Sequence, residues 1–82
     1  MGDDLSTKEM GWVLGRSPAV VRRMIQGGEL EAERIPGAYR IPRSAAIRVA
    51  RERVEREAGR TLSDTEIDRL IDQVIATNEA RT

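Results

Sequence analysis

Two adjacent arginines and a glutamine, Arg22, Arg23 and Gln26, carry the most pointed chemistry in the chain. A guanidinium fork matches the O6/N7 edge of guanine, and a primary amide matches the N6/N7 edge of adenine. The trio is therefore equipped for major-groove readout, and its spacing keeps it together. At roughly 100° per residue with Val21 at zero, Met24 and Ile25 fall near 300° and 40°, whereas Ala19, Arg22, Arg23 and Gln26 fall between about 100° and 200°. One face of this helix is apolar, and the opposite face presents the polar set. Just upstream, Ser17 and the free amides of the helix N-terminus suit a phosphate. Four more arginines, Arg16, Arg34, Arg40 and Arg43, stand at element ends or on a hairpin, positions suited to phosphate or minor-groove contacts. The same residues also describe an ordinary solvated helix face and a charged hairpin that resists pairing with another strand.

The composition removes most other chemistry. The 82 residues include no Cys and no His, so disulfides, thiolate nucleophiles, imidazole bases and Cys/His zinc sites are excluded. No glycine-rich loop ends in Lys-Ser/Thr, and the acids of the last two helices alternate with arginine or face solvent. No enzyme, metal or cofactor is expected. No apolar run approaches the ~18 residues of a membrane span, and no signal-peptide pattern opens the chain. No membrane partner follows, and a cytoplasmic, nucleoid-associated protein of bacterial or phage origin is expected.

Leu, Ile, Val and Phe make up 18 of 82 residues, just enough for one small folded domain at zero net charge. That zero is a cancellation. Fourteen bases meet fourteen acids, but residues 16–60 carry +5 and the two ends together carry −5. An acidic last helix is expected to face away from any polyanion.

The elements that must position these residues are signalled clearly. Ser6-Thr7-Lys8-Glu9 is a capping box with Leu5 and Met10 as its hydrophobic staple. Met10, Val13 and Leu14 continue a helix over about 7–14, and Gly15 ends it. Ser17-Pro18 opens a second helix, about 18–26, stopped by Gly27-Gly28. The two- or three-residue joint forces a sharp helix-turn-helix. Runs 32–35 and 38–41 flank Pro36-Gly37 and predict a hairpin, with Ile35 and Ile41 inward, Arg34 and Arg40 outward, and Tyr39 packed at its base. A third helix, about 43–58, has a narrow stripe of Ile47, Ala50, Val54 and Ala58. It also has i, i+4 pairs Arg48/Glu52, Arg51/Glu55, Glu52/Arg56 and Arg53/Glu57. Ser63 and Glu66 box a fourth helix, about 64–79, whose stripe is Ile67, Leu70, Ile71, Val74 and Ile75.

The runs Leu5-Ser6-Thr7-Lys8-Glu9-Met10-Gly11-Trp12-Val13-Leu14-Gly15, Ser17-Pro18-Ala19-Val20-Val21-Arg22-Arg23-Met24-Ile25, Gly28-Glu29-Leu30 and Tyr39-Arg40-Ile41-Pro42 resemble the excisionase/MerR-type DNA-binding domain. The resemblance spans about residues 5–50 and departs from the usual pattern at Gly11 and Trp12. It implies a mainly α, winged helix-turn-helix fold with a β-hairpin wing. Residues 1–58 would form the DNA-binding unit and 59–82 an appended amphipathic helix. The implied function is a recombination directionality factor that binds repeated sites on double-stranded DNA and bends them, with an integrase as a possible partner. A transcription regulator on the same fold is the nearest alternative.

A single module this small calls for a homo-oligomer or cooperative assembly on DNA. The fourth helix either completes a helical hairpin with the third or forms a dimer or partner surface. In the second case the chain becomes a protein-interaction module such as an antitoxin or adaptor. Trp12 lies about 200° from the apolar stripe of its helix and calls for a cover: the fourth helix, another protomer or a partner.

Overall fold

A computed structural model describes residues 4–81. Four helices and a two-stranded antiparallel hairpin follow one another as α1 (Thr7–Leu14), α2 (Pro18–Gln26), β1 (Glu33–Ile35), β2 (Ala38–Arg40), α3 (Arg43–Ala58) and α4 (Asp64–Arg81). The first three helix ranges match those expected, and α4 runs two residues further. Local hydrogen bonding explains the starts. Ser6 Oγ accepts from the Glu9 N–H at 3.1 Å while the Glu9 carboxylate accepts from the Ser6 N–H at 2.9 Å. Ser63 and Glu66 repeat the exchange at 2.9 and 3.1 Å. Gly15 and Gly59 end α1 and α3 at φ 67° and 70°, the left-handed conformation in which glycine has no Cβ penalty.

α1 is the hub, packing on α2, α3, α4 and β2, while α4 also packs along α3. One contiguous core joins Leu5, Met10, Val13, Leu14, Val21, Leu30 and Ile41 to Ala45, Ala46, Ala50, Leu62, Ile67 and Ile71. It draws on both sides of Gly59, so α4 belongs to the same packed unit as the first three helices. Ala45, Ala46 and Ala50 are fully buried, which lets α3 approach its neighbours closely. Ile47 and Val54 are half-buried against the core and Ala58 is exposed, so the expected α3 stripe is shifted toward the helix start.

The α4 stripe is spent inside the chain. Ile67 and Ile71 are 0% and 1% exposed, and Leu70, Val74 and Ile75 pack against the core. Their assignment to an oligomer or partner surface is corrected at Ile67 and Ile71, because intramolecular burial leaves nothing of those side chains to offer. Polar groups fix the same junction. Arg51 donates to the Leu62 carbonyl at 2.6 Å and pairs with Glu55 and Asp64, while Glu55 accepts the Leu62 N–H at 2.8 Å. Three of the four expected i, i+4 pairs form, but Arg48 turns to Glu31 at 3.1 Å rather than to Glu52.

The hairpin differs from expectation in one consequential way. Pro36 and Gly37, the latter at φ 75°, fit the two central positions of a type II turn. This two-residue loop pairs Ile35 with Ala38, Arg34 with Tyr39 and Glu33 with Arg40. Directly opposed residues share a face and neighbours alternate. Arg34 and Tyr39 are therefore on one face, continued by Ile41, while Ile35 and Arg40 are on the other. Ile41 is fully buried and Ile35 only half-buried. The expectation that Ile35 and Ile41 both point inward is thus corrected by pleat parity. A further bond pair, unforeseen from the sequence, links Leu5 and Ile41 through both N–H···O contacts at 2.8 Å, tying the chain before α1 to the hairpin exit.

Candidate nucleic-acid interface

α2 is built to hold one face in and one face out. Ser17 Oγ accepts from the Val20 N–H at 3.3 Å, and Pro18 supplies the preset φ of a first helical residue. Val21 is fully buried, and Met24 and Ile25 are half-buried against the core. Ala19, Arg22, Arg23 and Gln26 are exposed, as the angular arithmetic requires. Ser17 is exposed as well, with its hydroxyl oxygen engaged in capping.

The arginines divide sharply by partner. All five on α3 are in ion pairs: Arg43, Arg48, Arg51, Arg53 and Arg56. Arg40 reaches Asp4 at 3.8 Å and Arg60 reaches Glu66 at 3.0 Å. Among the described residues, Arg16, Arg22, Arg23 and Arg34 have no ion pair, and outside this region only Arg69 and Arg81 on α4 share that state. The uncompensated charge is thus concentrated on the turn before α2, on α2 and on β1.

Arg43 does not belong to that set. Its side chain is 15% exposed and lies 3.0 Å from Asp72 and 3.6 Å from Asp68, both on α4. The assignment of Arg43 to the nucleic-acid face is corrected: it anchors α4 to the start of α3. Arg40, half exposed and turned to the Asp4 side of the hairpin, is separated by pleat parity from Arg34.

Arg34 instead shares a cleft with α2. This cleft, about 220 Å³ between α2 and the hairpin, is lined by Arg22 of α2, Thr7 of α1, and Arg34, Ile35, Gly37, Ala38 and Tyr39 of the hairpin. Arg16 faces elsewhere, bordering a more open groove between α2 and α3 with Arg53 and Arg56. Thr7 and Tyr39 were not among the expected interface residues. The signal for Tyr39 was present, since a two-residue loop puts it opposite Arg34. Thr7 carried none, because its place depends on how α1 docks.

Trp12 is half-buried, and the Lys8 ammonium lies 5.4 Å from the centre of its ring. Part of the cover it requires is therefore a cation–π contact one turn away on α1. Among the described residues no cluster of carboxylates could hold a metal ion, and no helix is long and apolar enough to cross a membrane. Comparison with known protein families, with curated proteins and with solved structures returned no match for this chain.

Proposed function

We propose that the chain is a sequence-specific binder of double-stranded DNA with a winged helix-turn-helix reader, in which α2 enters the major groove and the β1–β2 hairpin is the wing. The observation that carries this reading is the division of arginines. Every arginine on α3 is neutralised within the chain, while Arg16, Arg22, Arg23 and Arg34 are left exposed and unpaired among the described residues. Unpaired guanidinium groups are free to neutralise DNA phosphates and displace the counterions condensed on them. Arg23 and Gln26 supply the donors and acceptor for base edges. The order of elements and the resemblance of residues 5–50 to excisionase/MerR-type domains support a role as a recombination directionality factor on repeated sites. A reader burying only ~600–1,000 Å² gains specificity when copies bind side by side.

Fluorescence anisotropy tests this with a duplex selected by the protein from a random pool and a mixed-sequence duplex of equal length. Arg23→Ala is expected to weaken binding to the selected duplex by ~1–3 kcal/mol and to relax its base preference. Unchanged affinity and unchanged preference would refute major-groove readout by α2.

A further inference from the structure

Arg22 and Arg23 are sequence neighbours of the same type, yet the fold gives them different surroundings. Arg22 lines the cleft between α2 and the hairpin together with Arg34, whereas Arg23 is exposed without lining it. We propose that this cleft is a seat for one phosphodiester group, gripped by Arg22 from the helix and Arg34 from the hairpin, which leaves base reading to Arg23 and Gln26. The proposal rests on the DNA-binding reading and divides its labour.

Three features carry it. First, the charge is available. Neither Arg22 nor Arg34 has an ion pair among the described residues. No acid lines the cleft. Of those nearest along the chain, Glu31 pairs with Arg48, Glu29 borders the groove between α2 and α3, and Glu33 lies on the other face of the hairpin, opposite Arg40. Two guanidinium groups on one cleft without a carboxylate repel each other, and an anion between them relieves that repulsion.

Second, there is room. The cleft, about 220 Å³, far exceeds the ~10–15 Å³ that one water needs, which leaves space for a phosphate group. Tyr39 and Thr7, which carry hydroxyl groups, also line the cleft. Third, the walls are fixed. Val21 is fully buried beneath α2, and Ile41 is fully buried and doubly hydrogen-bonded to Leu5, so helix and hairpin are both tied to the core. A phosphate held between two anchored elements sets the register of the helix in the groove, as backbone contacts do.

The test uses the full chain and the same selected and mixed-sequence duplexes, with anisotropy recorded at several sodium chloride concentrations. Arg22→Ala and Arg34→Ala are each expected to weaken both duplexes by the same factor and to reduce the salt slope by about 1, with the preference ratio intact. Arg22→Lys keeps the charge and is expected to retain the wild-type slope. Both positions are exposed on the surface, and a thermal melt of the three variants confirms equal folding. Wild-type binding combined with an unchanged slope in Arg22→Ala or Arg34→Ala overturns the seat and leaves the DNA reading standing. A lost preference ratio in Arg22→Ala does the same, returning Arg22 to base readout. Failure of the wild-type chain to bind either duplex at low salt overturns the DNA reading, and the seat with it.

Discussion

A Cβ atom at position 11 would lie 2.6 Å from the Arg16 carbonyl oxygen, which belongs to backbone and has little room to yield. The Arg16 N–H also donates to the Gly11 carbonyl at 2.9 Å, so the turn between α1 and α2 folds directly onto this glycine. Replacing glycine by alanine inside a helix ordinarily gains up to ~1 kcal/mol. Here the steric cost of forcing extra volume into a packed contact, typically ~1–3 kcal/mol, outweighs it. Gly11→Ala is therefore expected to lower the melting temperature, and a rise would contradict the close approach. Glu66 shows a second residue-level effect. The Ser63 backbone N–H, and after it Arg60, hold its carboxyl below the usual glutamate range. With the folded pKa lowered, the unfolded chain takes up the proton more readily. The cap thus contributes fully above the unfolded glutamate's pKa and is lost as pH falls through the folded value. Thermal melts taken from neutral into acid solution should show a smaller loss for Glu66→Gln than for the wild type; parallel losses would remove the cap from the acid response.

Among the elements, α4 changes most in meaning. Its stripe reads equally well as half of an internal helical hairpin or as a surface for another chain. Burial of Ile67, Ile71 and Leu62, together with the Arg43 and Arg51 contacts, settles it as internal. Truncating Ile71 to Ala should cost ~2–5 kcal/mol, which approaches the whole stability of a core this small. Denaturant unfolding of Ile71→Ala checks this, and a midpoint equal to that of the wild type would mean that α4 is not part of the core. Element boundaries were legible because they are written locally, in Ser6–Glu9, Ser17–Pro18 and Ser63–Glu66 and in the glycines that end α1 and α3. What was not legible depends on distant partners. Arg43 reads as a free base until α4 docks beside it, and Gly11 reads as a poor helix residue until the turn folds onto it. The hairpin faces were misjudged for another reason: Ile35 and Ile41 differ by an even number in sequence, but the two-residue loop between the strands reverses their parity.

For the whole molecule, the zero net charge separates into an internal ledger and an exposed remainder. The acids of α3 and α4 are largely matched to the arginines of α3, while α2, the turn before it and β1 keep charge to offer. A protein organised in this way is expected to bind a polyanion through one face, with strong salt dependence and modest affinity per copy. The candidate site was legible as residue types, since Arg22, Arg23, Gln26 and Arg34 all emerge on the surface. The cleft shared by Arg22 and Arg34 was not legible, because only the docked hairpin brings it about. The most direct measurement is an NMR titration of the labelled chain with duplex DNA at low salt, following backbone amides and arginine side-chain N–H groups. The largest shifts are expected on Arg22, Arg23, Gln26 and Arg34, with α4 unmoved. Shifts centred on α4, or none at all, would contradict that expectation.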